Sequence, residues 1–313
     1  MENVSIMFEA ALVQQQRIRL SYRTALNNYK ATHSLNRVSW VVWLITLGTV
    51  ALWCFTAYQT ALAVGAHTLR EVLANIAGNA VNVQPQDNDA LSNVLITYGA
   101  KENTLIQQGQ YWRFVTPIFL HVNLIHVGLN MLNFVILGIF IERIIGHLRF
   151  LLLYLITGII SIIASFYFAP QEISVGASGA IFGLVGAYSI FVLYHRQAFP
   201  RGGVPALLWL VIIIGVNLGL GLLVPNVDNY AHLGGLISGC ILGWWFMPFY
   251  VAVKAVPTPP VQQREHIHQL AYPLYQAQTL EDTHSLARRW PLALLTVVGT
   301  LALAILALHQ TGR

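Results

Sequence analysis

One serine in this sequence, set among glycines and alanines, has the surroundings expected of a nucleophile. Ser178 opens the apolar segment "SGAIFGLVGAYSIFVLY", and Gly176 and Gly179 stand beside it. Backbone N–H groups in the first turn of a helix have no partner within the helix and favour negative charge, so an alkoxide or oxyanion could be stabilised there. The glycines would let a substrate backbone approach closely. The same residues also fit a plain helix cap among close-packed small residues.

A nucleophilic serine needs a base, and the stretch "NYAHLGGLISG" supplies His232. His232, Gly235 and Gly239 are three and four positions apart, which places them on one face of a helix. The glycines would let that face press against the serine helix, whose own glycines are also four apart. An ionisable residue inside a membrane segment is a candidate functional residue. A purely structural role for this histidine stays open at this stage.

A third polar group occurs in the stretch "HVNLIHVGLNML", at the start of another apolar segment. His126 and Asn130 are four residues apart and share a helix face. Side chains of this type can donate hydrogen bonds to the charge that develops on oxygen during acyl transfer. They therefore form a candidate oxyanion hole, with Asn133 near the same face. The alternative is ordinary hydrogen bonding between membrane helices.

The elements that must position these residues are membrane helices. The composition is 56% hydrophobic and only 9% charged, whereas a soluble domain has roughly a quarter of its residues charged. Runs of about 20 apolar residues mark transmembrane helices. They predict an all-α polytopic membrane protein with seven spans, near 38–58, 124–143, 149–168, 177–195, 204–223, 230–250 and 290–309.

These spans divide the chain into four parts. We expect an N-terminal arm (1–37), a six-helix core (38–250) that contains a large loop (59–123), a linker (251–289), and an additional span with a short tail (290–313). The linker contains a proline-rich stretch that is typical of an extended tether. Cys54 and Cys240 lie in separate apolar segments, so no disulfide framework is expected.

The distribution of basic residues predicts the orientation. With seven spans, all but four of the 17 Lys and Arg residues share the side of the N-terminal arm; the four are Arg70, Lys101, Arg113 and Arg313. The positive-inside rule then places the N-terminus in the cytoplasm and the ends that carry Ser178 and His232 toward the outer face. The compact loops favour a bacterial inner membrane and do not exclude a eukaryotic one.

Taken together, the motifs resemble those of the rhomboid intramembrane serine proteases. "GASGAIFGL" matches the family's GxSG stretch, "AHLGGLISG" its AHxxGxxxG, and "HVNLIHVGLN" its His-and-Asn segment. Upstream, Trp112 and Arg113 in "GQYWRFVTPIFLH" match the family's WR pair, and "FIERIIG" supplies Glu142 and Arg143. The resemblance covers roughly residues 95 to 250. It implies the rhomboid six-helix core, plus one additional C-terminal transmembrane helix.

The resemblance also implies the role of each matched residue. Ser178 would be the nucleophile and His232 the general base, with no third member completing a triad. His126 and Asn130, with the Ser178 N–H, would stabilise the oxyanion. Phe182 would stack on the catalytic histidine. The WR pair would anchor the outer loop, and the glycines would allow close approach. The residues with these supporting roles are Gly176, Gly179, Gly235, Gly239, Trp112 and Arg113.

The expected partners are single-span membrane protein substrates within the lipid bilayer, without nucleic acid, metal or cofactor. A zinc protease would need HExxH and an aspartyl intramembrane protease GxGD, and the sequence contains neither. Two other functions stay open. One is an inactive rhomboid-like protein that binds membrane clients, although such relatives typically lose the serine or the histidine. The other is a small transporter, although its polar residues should extend through the full membrane depth.

Overall fold

The computed structural model describes residues 38–80, 89–196, 203–223, 227–247, 250–253 and 279–282, together with residues 291, 295–296, 298–300 and 302. The predicted N-terminal arm lies outside the described residues. So do most of the predicted linker and most of the predicted span 290–309.

Nine α-helices and two short strands lie in the described part of the chain. We number them in chain order as α1 (Trp40–Ala63), α2 (Leu69–Gly78), α3 (Asp89–Thr97), α4 (Asn103–Gln107), α5 (Leu124–Ile145), α6 (His147–Phe168), α7 (Ser178–Tyr194), α8 (Val204–Leu223), α9 (Asn229–Phe246), β1 (Tyr250–Val253) and β2 (Thr279–Asp282). Two 3₁₀ turns, Tyr111–Phe114 and Thr116–Phe119, precede α5.

The predicted polytopic helical membrane fold is confirmed. Helices α1, α5 and α6 are long and apolar enough to cross a bilayer, and α7 and the first part of α8 are shorter apolar helices. The helices lie where the apolar runs predict them, but α1 continues to Ala63, five residues beyond the predicted end at 58. The loop predicted to begin at 59 is therefore shorter, because α1 extends past the apolar run.

The long connection between α1 and α5, residues 64–123, contains three short helices and both 3₁₀ turns. Helix α2 begins with a capping box: the Thr68 hydroxyl accepts the Glu71 N–H, and the Glu71 carboxylate accepts the Thr68 N–H. The last part of this connection folds back against the end of α6, which lies next to the start of α7.

At the opposite end of the helices, Glu142 joins three elements. Its carboxylate oxygens accept the backbone N–H groups of Val41 (3.1 Å) and Val42 (2.9 Å) in the first turn of α1. The same carboxylate pairs with Nδ1 of His147 at the start of α6, at 2.5 Å. A buried carboxylate here satisfies N–H groups that have no partner within α1. Glu142 therefore connects α1, α5 and α6.

Strands β1 and β2 pair in antiparallel register, with Tyr250 opposite Asp282 and Val253 opposite Thr279. Strand β1 lies at the start of the predicted linker and β2 lies within it. Among the described residues this is the only sheet.

Candidate active site

The nucleophile and the base predicted from the sequence are in contact. Ser178 is the first residue of α7, and His232 lies in the first turn of α9. The Ser178 Oγ and the His232 Nε2 are 2.8 Å apart, a hydrogen bond between residues 54 positions apart in the chain. When the imidazole is neutral with its proton on Nδ1, the serine hydroxyl donates to Nε2. This is the arrangement required for a histidine to activate a serine.

Small residues bring the two helices close enough for this contact. A Cβ on Gly235 would overlap the Gly179 carbonyl, and one on Gly239 would overlap the Gly183 carbonyl. The backbones of α7 and α9 thus touch along a strip that starts beside the serine. On the α6 side, a Cβ on Gly179 would overlap the Ser161 side chain. Helix α7 is therefore packed tightly between α6 and α9.

Phe182 holds the ring of His232. Its centroid lies 4.6 Å from that of the imidazole, and the planes are 12° apart, a stacked pair. Phe182 is one turn after Ser178, so a single helix carries both the hydroxyl and the ring that faces the base. Stacking of this kind fixes the orientation of an imidazole without an acidic partner.

The acid nearest in sequence to His232 serves as a helix cap. Asp228 Oδ1 accepts the Ala231 N–H at 2.9 Å, and the second oxygen, Oδ2, is buried. Within the described residues, neither Asp228 Oδ2 nor His232 Nδ1 has a hydrogen-bond partner. The serine and histidine thus form a pair without a hydrogen-bonded third member in this part of the chain.

His126 and Gly176 lie beside Ser178. A Cβ built on Gly176 would stand 2.9 Å from His126 Nε2 and 3.7 Å from Ser178 Oγ. Gly176 also has φ +132°, a conformation that side-chain-bearing residues rarely adopt. The absence of a side chain at Gly176 therefore lets the His126 imidazole lie against this backbone, close to the serine hydroxyl.

Asn130 is buried on the same face of α5. One N–H of its Nδ2 donates to the His126 carbonyl at 2.9 Å, one turn back along the helix. Asn133 makes the equivalent bond to Leu129 and is more exposed. The amide nitrogen of Asn130 carries a second N–H, and its participation in an oxyanion hole stays a prediction.

The two residues of the WR pair, Trp112 and Arg113, differ in burial. Arg113 is buried, and its NH1 donates to the carbonyls of Ile96 (2.7 Å) and Ala100 (2.8 Å). Trp112 leaves 54% of its surface exposed. Arg113 thus stabilises the connection between α1 and α5 by joining two of its own segments.

His121 contacts the chain immediately before the serine. The Ala177 N–H donates to His121 Nε2 at 3.3 Å. Burial holds the pKa of His121 well below its ordinary value, and the nearby His126 lowers it further. A neutral imidazole has one unprotonated nitrogen, which is what an acceptor for the Ala177 N–H requires.

Sequence reasoning missed Lys101, which lies close to the site and is fully buried. Its ammonium donates to the carbonyls of Ala169 and Glu172, in the chain that joins α6 to Ser178. Burial lowers its pKa to about 8, although the carboxylates of Asp228, Glu172 and Glu102 oppose that shift. A lysine between Ala100 and Glu102 gives no pattern from which its burial could be predicted. Among the described residues, no three His, Cys, Asp or Glu side chains cluster as a metal site would require.

Comparison with known proteins adds independent evidence. The Rhomboid domain profile matches residues 108–249, which contain every residue of the site described above except Lys101. Rhomboid protease GluP of Bacillus subtilis (strain 168) is 42% identical over 181 residues, 58% of this chain and 33% of that protein. The chain thus matches only about a third of that relative's length.

Two plant proteins match over more of their length. RHOMBOID-like protein 2 of Arabidopsis thaliana is 36% identical over 240 residues, 73% of this chain and 74% of that protein. RHOMBOID-like protein 7 of the same plant is 33% identical over 226 residues, 71% of each chain. With such identity over most of both chains, and with the helical membrane fold, this chain belongs to the rhomboid family.

Proposed function

We propose that this chain is an intramembrane serine endopeptidase that hydrolyses peptide bonds in or near the outer ends of substrate transmembrane segments. The observation that carries the proposal is the 2.8 Å hydrogen bond between Ser178 Oγ and His232 Nε2. Both residues lie in the first turn of apolar helices, and His232 is only 6% exposed. The names of the relatives, among them a rhomboid protease and a rhomboid-type serine protease, support the same chemistry.

In this mechanism, His232 Nε2 takes the proton from Ser178 as Oγ attacks the scissile carbonyl carbon. The carbonyl oxygen becomes an oxyanion beside Gly176, where the Ser178 N–H and His126 Nε2–H donate to it. His232 then returns the proton to the leaving amine, and the acyl-enzyme forms. Water, deprotonated by the same imidazole, hydrolyses the ester and restores the serine.

Asn130 would join the oxyanion hole through the second N–H of its amide. One N–H of Nδ2 donates to the His126 carbonyl, which leaves the other available to the charged oxygen. A hydrogen bond to a charged group is stronger than one to a neutral group, so the developing oxyanion would favour this second bond.

The proposed substrates are single-span membrane proteins. A peptide bond in an intact helix is shielded by its own hydrogen bonds, so the substrate helix must unwind locally to reach Ser178. Unwinding is easiest where small or helix-breaking residues occur near a helix end. The distribution of Lys and Arg supports a cytoplasmic N-terminus and a site toward the outer face. With relatives in both a bacterium and a plant, the type of membrane stays a prediction.

The test uses the purified protein in liposomes with a tagged single-span substrate that carries small residues near its outer end. Wild type should release two products, and Ser178→Ala and His232→Ala should release none while keeping the wild-type unfolding midpoint. Ser189→Ala is the matched control, because it removes a hydroxyl from the same helix that bonds only to the Val185 carbonyl. Ser189→Ala should cleave at the wild-type rate.

Two results would contradict the proposal. Cleavage by Ser178→Ala at the wild-type rate would exclude the proposed nucleophile. Failure of wild type on several such substrates, together with stable binding of uncleaved substrate, would favour the client-binding alternative instead.

A further inference from the structure

An irregular stretch of chain, residues 169–177, precedes Ser178, and we call it the approach segment. It leaves α6 at Phe168 and reaches Ser178 at the start of α7. It contains Gly176, where a Cβ would overlap the His126 imidazole. Because this segment contains no regular helix or strand, contacts with other parts of the chain must determine the position of Ser178 at the start of α7.

Lys101 contacts the middle of the approach segment with its side chain. Its Nζ donates to the Ala169 carbonyl at 2.5 Å and to the Glu172 carbonyl at 2.9 Å. The Ala169 carbonyl is at the C-terminal end of α6, where carbonyls lack helical partners and the helix dipole favours a cation. A fully buried lysine is costly unless its N–H groups are paired.

The main chain of the same lysine holds the next part of the segment. The Lys101 N–H donates to the Ser174 carbonyl at 3.0 Å, and the Ser174 N–H donates to the Lys101 carbonyl at 3.2 Å. This is an isolated antiparallel bridge. One residue therefore fixes positions 169, 172 and 174 together, four residues before the serine.

Neighbouring contacts fix both ends of the same stretch. The Asn103 side-chain amide donates to the Phe166 carbonyl at 2.8 Å, at the end of α6. The Gly176 N–H donates to the Pro117 carbonyl at 2.9 Å, and His121 accepts the Ala177 N–H. The long connection thus contacts the chain from α6 to Ser178 at short intervals, and Lys101 makes the central set.

The charges around Lys101 also connect it to the base. Asp228 exerts the largest favourable effect on the ammonium, ahead of Glu172 and Glu102. Asp228 caps α9 through the Ala231 N–H, one residue before His232. The carboxylate that most favours the charged form of Lys101 is therefore the one that caps the helix carrying His232.

We propose that Lys101 is a positioning residue for the Ser178–His232 pair: it holds the approach segment so that the serine hydroxyl faces the His232 imidazole. Lys101 does not touch the substrate or the reacting atoms. The kinetic part of the test rests on the proposed protease function, whereas the structural part does not.

The test is Lys101→Met, which keeps the length and burial of the side chain but removes its donors. The variant leaves the Glu172 carbonyl without its Lys101 donor and the Ala169 carbonyl with the Glu172 N–H alone (3.2 Å), so the approach segment should loosen. Hydrogen–deuterium exchange followed by mass spectrometry should show faster exchange in peptides that cover 169–177, with α1 and α5 unchanged. In liposomes, kcat should fall about 10- to 100-fold with KM within about threefold, because misplacing reacting atoms by ~1 Å costs about that much.

The matched control is Glu142→Gln, which also alters a buried charged residue that joins several elements, but at the other end of the helices. It should lower the unfolding midpoint and leave both kcat and exchange in 169–177 at wild-type values. If Lys101→Met does not fold, Lys101→Gln, which retains an amide donor, takes its place and should show a smaller loss in kcat.

Several outcomes would overturn the positioning role. They are a wild-type kcat in a folded Lys101→Met, unchanged exchange in 169–177, or failure of both Lys101 variants to fold, which would make the residue simply structural. If wild type itself cleaves nothing, the proposed function fails, and the exchange measurement alone decides the role of Lys101.

Discussion

Replacing Gly235 by alanine tests whether the contact of α7 and α9 sets the geometry of the site. A Cβ at this position would overlap the Gly179 carbonyl oxygen and stand 2.8 Å from the carbonyl carbon. Carbon atoms in contact prefer about 3.5–4.0 Å, so the helices must separate by about 1 Å. The obstacle is backbone rather than the end of a flexible side chain, so it cannot simply rotate away.

The separation should affect activity more than folding. Gly179 follows Ser178 directly, and Gly235 is three residues after His232, so a shift of about 1 Å acts directly on the Oγ–Nε2 hydrogen bond. We expect kcat/KM to fall about 100-fold and the free energy of unfolding to fall by about 1–3 kcal/mol, as overpacking typically costs.

The assay is cleavage of the tagged substrate in liposomes, with unfolding followed in parallel by titration with a denaturing detergent. Gly48→Ala is the control, because it makes the same substitution in α1 where a new Cβ would meet nothing within 4 Å. It should match wild type in both measurements. Wild-type activity and stability in Gly235→Ala would show that the two backbones are not in the contact described here, and would refute the reasoning.

Three further predictions follow from single contacts. Phe182→Ala should lower kcat about three- to tenfold, the equivalent of the ~0.5–1.5 kcal/mol of an aromatic pair, whereas Phe182→Tyr should retain the stacking and the rate; equal losses in both would contradict this. Gly176→Ala should reduce cleavage about 100-fold or more, because the new Cβ would displace the His126 imidazole, a proposed oxyanion donor; a fully active, folded variant would exclude that role for His126. Burial lowers the pKa of Lys101 from 10.5 to about 8, so the unfolded chain binds more protons between those values. Wild type should therefore gain stability relative to Lys101→Met as pH rises from about 8 to 10.5, by up to ~3 kcal/mol in detergent unfolding, and a difference that does not change with pH would count against it.

The helices were predictable because the bilayer imposes a simple rule. An apolar run of about 20 residues must be helical to satisfy its backbone in lipid, and the runs at 124–143 and 149–168 coincide with α5 and α6 within two residues. The end of α1 was not predictable in this way. Its last turn passes beyond the apolar run, where hydropathy no longer distinguishes helix from loop.

The pairing of serine and histidine was predictable from glycine spacing together with topology. Glycines four apart on both segments indicate two helices in close contact, and Gly235 and Gly239 do meet the carbonyls of Gly179 and Gly183. The orientation of individual side chains was not. Asn130 bonds back to its own helix, a choice that depends on which acceptors surround it once the helices are packed.

Lys101 was the least predictable part of the site. Its role depends on four backbone groups of three residues more than 65 positions away in the chain, and such backbone contacts cannot be inferred from residue types. By length and charge alone it resembles any solvent-facing lysine. Only the folded arrangement of the long connection against α6 reveals that it is buried.

The central claim is that His232 activates Ser178 as a nucleophile, and covalent labelling tests it most directly. The protein in liposomes is treated with a fluorophosphonate, and the modified residue is identified by peptide mass spectrometry. We predict a single adduct on Ser178 that is lost in His232→Ala, with Ser189 and the other hydroxyls unmodified. An adduct on another serine, or labelling of Ser178 that persists at the same rate without His232, would contradict the account.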